Sequence, residues 1–182
     1  AYYKKSVRSM SLSEKAKNIR AVVLDVDGVL TDGRVGYGGA GDDEIKFFDA
    51  KDEHGIKLLL RAGIQVGLFS GRTSAANRKY ATELRLSFVY ENQKNKREAF
   101  ETLLQEQNLT AAQCLYVGDD LVDLPVLRRA GVGVAVADAI AEAKSTADWV
   151  TVAAGGLGAV REVAEWLLKE QGKWQEQIAR YM

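Results

Sequence analysis

The chain has 182 residues, of which 47% are hydrophobic and 27% charged, which suits one well-buried domain and is short for two. The 25 basic residues balance the 25 acidic ones, so no net positive charge favours binding to nucleic acid or to acidic membranes. The only cysteine, Cys114, excludes an internal disulfide and a cysteine-based zinc site.

The first 20 residues are charged and have no apolar centre, so we expect an N-terminal arm and not a signal peptide. No apolar run is long enough to span a membrane. We therefore predict a cytoplasmic protein with one domain over residues 21–170 and a C-terminal tail over 171–182.

Short apolar runs alternate with longer segments of helical spacing along the chain. The runs are uninterrupted, which is typical of strands buried on both faces of a parallel sheet. The pattern predicts a Rossmann-like α/β sandwich of three layers. The runs cover residues 21–24, 64–69, 88–90, 114–117, 132–136 and 149–152.

The interval 33–49, GRVGYGGAGDDEIKFFD, breaks this alternation. Two short polar–apolar segments flank a glycine-rich turn, which predicts a β-hairpin inserted after the first strand. We call residues 33–49 the flap.

Charged and hydroxyl side chains follow four of the predicted strands. The carboxyl ends of parallel strands meet at one edge of a sheet, where ligands bind. The residues concerned are Asp25, Asp27, Ser70, Gly71, Arg72, Lys96, Asp119, Asp120 and Asp123.

Converging aspartates need a cation, and oxygen ligands without a histidine cluster favour Mg²⁺. A lysine, a hydroxyl and helix N-termini beside such a metal site suit a phosphoryl group. One carboxylate can attack phosphorus and a second can manage the proton.

The stretches DVDGVLTDG, SGR, Lys96 and GDDLVD resemble, in order, the four motifs of the haloacid dehalogenase superfamily of phosphohydrolases over residues 21–168. The resemblance implies that Asp25 is the nucleophile and a metal ligand. It makes Asp27 the general acid/base, with its backbone carbonyl on the metal. Ser70, Gly71 and Lys96 would contact the phosphoryl group, with Lys94 as the alternative lysine. Asp119 would complete the ligands, supported by Asp120 and Asp123.

The intervals between these motifs leave no room for a cap domain, so the chain is similar to the capless branch of the superfamily. Members of that branch are tetramers with active sites at subunit interfaces. We therefore expect a homotetramer whose contacts run through the flap.

FFDAKDEHGIK, SGR and GGLGAVREV narrow the resemblance to phosphatases of an eight-carbon sugar-acid phosphate in lipopolysaccharide synthesis. Arg72 would pair with the carboxylate of the substrate; relatives acting on nine-carbon sugar acids tend to carry an acidic residue there. The residues that the resemblance places against the sugar acid are Asp49, Ala50, Lys51, Asp52 and Lys57.

Two alternatives stay open at this point. One is the same chemistry on a nine-carbon sugar-acid phosphate or on a broad set of sugar phosphates, because Lys51, Glu53-His54 and Tyr80 depart from the family pattern. The other is a phosphate-sensing or oligomeric binding module. Asp27 argues against the module, since a protein that only stores an acyl phosphate needs no acid/base.

Four further features of the sequence have two readings each. Asp32 belongs either to a turn or to the site, and Arg161 either contacts ligand or forms a salt bridge within its helix. His54 lies either at the rim of the site or on the surface. The tail, with Trp174 and Ile178 four residues apart, is either disordered or docked on a partner subunit.

Overall fold

The computed structural model describes residues 10–38 and 44–182, and its centre is a parallel β-sheet flanked by helices. The strands are β1 (Ala21–Leu24), β2 (Gly36–Tyr37), β3 (Glu44–Ile45), β4 (Gln65–Phe69), β5 (Phe88–Tyr90), β6 (Cys114–Gly118), β7 (Val132–Ala135) and β8 (Trp149–Val150). The helices are α1 (Leu12–Ala16), α2 (Ala50–Arg61), α3 (Ala75–Leu84), α4 (Lys96–Glu106), α5 (Leu124–Arg129), α6 (Ala141–Thr146), α7 (Ala159–Glu170) and α8 (Trp174–Ala179).

The parallel sheet has the strand order β5-β4-β1-β6-β7-β8. Each of its six strands coincides with one of the predicted apolar runs to within two residues at either end, which confirms the predicted fold class. All four side chains of β1 are fully buried, as expected for a strand covered on both faces. Outside the gaps at residues 1–9 and 39–43, no cap domain is present.

The position of β1 determines where the chemistry can lie. β1 pairs with β4 on one side and with β6 on the other, so Leu24 is aligned with both Leu68 and Val117. The residues that follow these three strands therefore emerge side by side in the middle of the sheet edge.

The flap contains the predicted pair of short strands. β2 and β3 pair antiparallel, with Gly36 opposite Ile45 and Tyr37 opposite Glu44. The glycine-rich turn predicted between them falls largely on residues 39–43, which lie outside the described residues.

The segments predicted as an arm and a tail are folded where the structure describes them. Ser11 and Glu14 form a capping box that starts α1, and Ala16 and Ile19 are buried in the core. The Gln171 side chain donates to the backbone carbonyls of both of these residues at 3.0 and 2.8 Å, which joins the two ends of the domain.

The tail docks on its own chain. Trp174, in α8, packs against the core, with its ring 5.9 Å from the Arg161 guanidinium and 5.1 Å from the Lys169 ammonium. The tail is therefore ordered and not disordered, because Trp174 packs on the core and on two cationic side chains of α7; docking on a partner subunit stays a prediction. In the described part of the chain, the helices are all too short or too polar to cross a membrane.

Candidate active site

A cavity of about 340 Å³ lies at the carboxyl ends of the central strands. It is where the topology brings the motif residues together, with Ser70 buried beside it at the end of β4. The predicted residues that line it are Asp25, Asp27, Gly71, Arg72, Lys96, Asp119 and Asp120.

Lys96, the first residue of α4, lies at the centre of a buried charge cluster. Its ammonium is 2.7 Å from Oδ1 of Asp25, 2.6 Å from Oδ1 of Asp123 and 3.1 Å from the hydroxyl of Tyr116. Lys94, the alternative to Lys96, lines the cavity as an exposed side chain. Lys96 is therefore the lysine placed against the predicted nucleophile.

Asp123 fixes the loop that follows β6. Its Oδ2 accepts the backbone N–H groups of Asp119 at 2.8 Å and Asp120 at 3.1 Å, while the Tyr116 hydroxyl donates to Oδ1. Burial raises its pKa, but the Lys96 ammonium and these hydrogen bonds outweigh that effect and hold the pKa below its ordinary value. Asp123 thus stays ionised and orients Asp119. Asp120 is exposed and caps the short helix that follows.

Asp25 and Asp119 carry more negative charge than the site neutralises. Burial raises the pKa of Asp25 to about 6, although Lys96 opposes it. Burial, together with the neighbouring charges of Asp25 and Asp123, raises the pKa of Asp119 to about 8. If all three carboxylates were ionised they would face one ammonium with an excess of two negative charges, so without a cation Asp119 keeps a proton at neutral pH.

The donor set fits a hard divalent cation. Carboxylate oxygens of Asp25, Asp119 and Asp123 lie within 4.8 Å of one another, and Oδ1 of Asp119 is buried without a hydrogen-bond partner. Both oxygens of Asp123 are already engaged by other groups, so Asp25 and Asp119 are the side chains with capacity to bind an ion. Oxygen ligands of this kind suit Mg²⁺.

Glycine is required where the loop after β1 passes Asp119. Gly28 has φ +96°, and a Cβ there would lie 2.1 Å from Oδ2 of Asp119. A Cβ on Gly155 would lie 1.7 Å from the carbonyl oxygen of Gly28, so the GGLG segment packs directly on this loop. The close approach of backbone to carboxylate explains the glycine after the second aspartate.

Asp27 turns its carboxylate towards the flap and away from the other aspartates. Its Oδ1 lies 2.6 Å from the ammonium of Lys46, a residue that the sequence analysis did not single out. The alternation of polar and apolar residues in EIKF was the available signal for an inward-facing side chain at that position. Arg72 also reaches this region, and its guanidinium donates to Glu44 of the flap at 3.2 Å.

Ser70 lies where β4 ends and is almost fully buried. Its hydroxyl oxygen accepts the backbone N–H of Arg72 at 3.1 Å, which leaves the hydroxyl proton available to another acceptor. The side chain is thus suited to donate to an anion in the cavity.

The residues predicted against the sugar acid do not line the cavity of their own chain. Asp49 caps α2 by accepting the N–H groups of Lys51 and Asp52 at 2.7 and 3.3 Å, and Ala50 and Lys51 are exposed. Lys57 pairs with Glu53 one helical turn away.

Asp52 differs most from its expected role as a sugar contact. It is fully buried, and its oxygens accept the N–H groups of Arg161 at 2.7 Å and Gly158 at 3.3 Å, at the start of α7. Burial raises its pKa to about 6. A carboxylate committed to a helix N-terminus in the interior cannot reach a sugar.

The other residues whose roles the sequence left undecided have partners outside the cavity. Asp32 pairs with Arg34 in a turn, and Arg161 bonds Glu165 at 2.7 Å within α7. Nε2 of His54 lies 2.9 Å from the Tyr181 hydroxyl, away from the cavity. Tyr80 is buried and stacks on Phe48 with ring centroids 3.9 Å apart.

Comparisons with known proteins show which family the chain resembles. A family model described as haloacid dehalogenase-like hydrolase matches residues 85–160. The 3-deoxy-D-manno-octulosonate 8-phosphate phosphatase of Escherichia coli strain K12 is 43% identical over 168 residues, covering 92% of this chain and 89% of its own. The corresponding enzyme of Haemophilus influenzae is 41% identical over 162 residues, covering 89% of each.

Solved structures are similar over the same length. The 3-deoxy-D-manno-octulosonate 8-phosphate phosphatase of Moraxella catarrhalis, crystallised with magnesium, phosphate and KDO, has a TM-score of 0.90 and 36% identity, covering 93% of this chain and 97% of its own. The cobalt-bound enzyme of Haemophilus influenzae has a TM-score of 0.84 and 41% identity, covering 88% and 93%.

Proposed function

The chain belongs to the haloacid dehalogenase-like hydrolases, in the family of the 3-deoxy-D-manno-octulosonate 8-phosphate phosphatases, and we propose that it hydrolyses the phosphate ester of this eight-carbon sugar acid. The observation that carries the proposal is the single cavity at which Asp25, Asp27, Lys96 and Asp119 meet. The residue roles below are part of the proposal.

Asp25 attacks phosphorus and displaces the sugar alkoxide, which forms an aspartyl-phosphate. Lys96, 2.7 Å from Asp25, holds the nucleophile and balances the charge of the phosphoryl oxygens. Ser70 donates its hydroxyl proton to one of those oxygens, and the backbone at Gly71 lies beside it in the cavity wall.

Asp27 manages the proton in both halves of the reaction. An alkoxide is a poor leaving group, so a proton passes from Asp27 to the sugar oxygen as the P–O bond breaks. Asp27 then takes a proton from the water that attacks the aspartyl-phosphate, which releases inorganic phosphate and restores both aspartates.

Asp25, Asp119 and the backbone carbonyl of Asp27 are the groups that would hold Mg²⁺. When bound, the ion neutralises the excess negative charge of the carboxylates and of the phosphoryl group. The partnerless Oδ1 of Asp119 supports this assignment.

Substrate recognition would come from two copies of the chain. Arg72, half-exposed at the cavity, is suited to a bidentate pair with the sugar carboxylate. Asp49, Ala50, Lys51 and Lys57 do not line their own cavity and would serve that of a neighbour. Asp52 is left out of this set because it is buried.

The flap supplies a surface for such an assembly, which we expect to be a homotetramer. Tyr37, Ile45 and Phe47 on the flap are 68%, 46% and 81% exposed, and such large apolar side chains commonly mark an interface. A phosphorylated sugar acid is highly charged and does not cross membranes unaided, so we place the enzyme in the cytoplasm, where its substrate would be made.

Phosphate release in the presence of Mg²⁺ tests the function. We expect a preference of about 100-fold in kcat/KM for octulosonate 8-phosphate over nine-carbon sugar-acid phosphates and hexose phosphates, equal to about 3 kcal/mol of transition-state discrimination. Asp25→Asn should abolish turnover of every substrate. Equal slow rates on all substrates would reject the named substrate, and activity retained in Asp25→Asn would reject the mechanism.

A further inference from the structure

Lys46 of the flap is buried against the proposed acid/base. Its side chain is completely buried, and its ammonium lies 2.6 Å from Oδ1 of Asp27 and 3.5 Å from Oε2 of Glu44. A lysine is rarely buried in this way unless carboxylates compensate its charge. The proposed mechanism assigns no role to this residue.

The partners of Lys46 continue into a ring of charges that includes Asp27 and Arg72 of the cavity wall. Oε1 of Glu44 accepts from Arg72 at 3.2 Å, and Nε of Arg72 lies 4.0 Å from Oδ2 of Asp27. The second distance is too long for a hydrogen bond. The two oxygens of Asp27 are therefore unequal among the residues that the structure describes, since Lys46 binds Oδ1 whereas Arg72 lies 4.0 Å from Oδ2.

The pleat of the flap determines which side chains face inwards. Along residues 44–47, Glu44 and Lys46 are enclosed, whereas Ile45 and Phe47 are exposed. This is the period of two expected of an extended segment. The backbone of the flap thus places the Lys46 side chain on the buried face, against Asp27, where it is not free to move as a surface lysine would be.

We propose that Lys46 is a positioning residue of the phosphatase reaction, which holds Asp27 by Oδ1 and so directs Oδ2 towards the leaving oxygen of the substrate. The inference rests on the proposed role of Asp27. A charge-assisted hydrogen bond of this length is short and directional, which suits the fixing of one rotamer. Lys46 itself neither gives nor takes the proton.

Substrates with different leaving groups test this role. Sugar alkoxide needs protonation, whereas p-nitrophenolate leaves without it, and kcat/KM reports the steps up to formation of the aspartyl-phosphate. We expect Lys46→Met to lower kcat/KM for octulosonate 8-phosphate by about 100-fold and for p-nitrophenyl phosphate by less than about 5-fold, as for loss of general acid catalysis. Lys46→Arg, which keeps the charge, should recover most of the loss.

A double-mutant cycle with Asp27→Asn separates positioning from direct action on the substrate. If Lys46 acts through Asp27, Lys46→Met should cause no further loss of sugar-phosphate kcat/KM in the Asp27→Asn background. The matched control is Lys15→Met, which breaks an ion pair of equal length with Asp148 outside the cavity and should leave both substrates unaffected. Lys46→Gln serves as a second variant if circular dichroism shows that Lys46→Met does not fold.

Three outcomes would overturn the inference, and they are distinguishable. Equal losses on both substrates would give Lys46 a general structural role. Additive losses in the cycle would show that it acts independently of Asp27. Unchanged sugar-phosphate kcat/KM in Asp27→Asn alone would reject the acid/base role of Asp27, and with it the proposed mechanism on which the inference rests.

Discussion

The Lys96 ammonium lies 2.7 Å from Oδ1 of Asp25, and the two residues are 3% and 6% exposed. The pair joins the start of α4 to the end of β1 in the interior. Burial lowers the pKa of Lys96, but Asp25 and Asp123 outweigh this effect and keep the lysine charged. The two aspartates and the lysine therefore depend on one another for their charge states.

Lys96→Met should destabilise the protein and abolish most of its activity. Removing one partner of a buried ion pair costs about 3 kcal/mol, because Asp25 and Asp123 then lose their compensating charge. Urea unfolding in EDTA measures this loss, and kcat should fall at least about 100-fold. Mg²⁺ should restore part of the stability but not the activity. The control, Lys94→Met at the exposed neighbouring lysine, should change the free energy of unfolding by less than about 0.5 kcal/mol; an equal loss there would contradict the prediction.

Asp119→Asn should stabilise the metal-free protein at alkaline pH. The folded protein holds a proton on Asp119 up to pH about 8, well above the pKa of an unfolded aspartate. Stability in EDTA should therefore fall as pH rises from about 4 to about 8, because the unfolded chain releases that proton more readily. Asp25 and Asp52, whose pKa values are raised to about 6, contribute to the decline below that pH, so the asparagine variant should lack mainly the part between pH 6 and 8. It should be more stable than the wild type at pH 8.5 by about 1–3 kcal/mol, after allowing for partial exposure.

The same variant should lose the response to Mg²⁺. Wild-type protein should gain stability on addition of Mg²⁺, because the ion binds the folded state, whereas Asp119→Asn should gain little. Denaturant unfolding at pH 6, 7.5 and 8.5, with EDTA or with Mg²⁺, covers both expectations. A pH-independent stability of the wild type in EDTA would contradict the raised pKa of Asp119.

The sequence was informative where local pattern and topology suffice. Uninterrupted apolar runs predicted the strands of the sheet, and the rule that ligands bind at strand carboxyl ends brought Asp25, Lys96 and Asp119 to one cavity, where the structure has them. Both inferences use positions along the chain and need no knowledge of side-chain partners.

The sequence did not predict the contacts of side chains whose partners are distant along the chain. Asp52 was expected to contact a sugar, but it binds backbone N–H groups of α7, 109 residues away at Arg161. The alternation in EIKF indicates that Lys46 faces inwards, but it does not identify the partner, because Asp27 is 19 residues away across the hairpin. The resemblance to a family gives the roles of motif residues and not these pairings.

Gly28→Ala should impair metal binding in addition to its effect on folding. The new Cβ would lie 2.1 Å from Oδ2 of Asp119 and would displace that carboxylate. We expect at least a 10-fold loss of Mg²⁺ affinity by titration calorimetry, about 1.4 kcal/mol, and a loss of stability of about 1–3 kcal/mol. Gly63→Ala is the matched control, because φ there is +78° and a Cβ would meet no atom within 4 Å. It should show the cost of backbone strain with normal Mg²⁺ affinity; reduced affinity in both variants would contradict the proposed clash.

Phe47→Glu should dissociate the proposed homotetramer while the fold persists. Phe47 is 81% exposed on the flap, so a charge there costs the isolated chain little but would be buried in an interface of copies. Light scattering after size exclusion should give the mass of four chains for the wild type and a smaller species for the variant, with unchanged circular dichroism. Val152→Glu, at a residue 90% exposed outside the flap, is the control and should keep the wild-type mass. Dissociation of both variants, or a monomeric wild type, would contradict assembly through the flap.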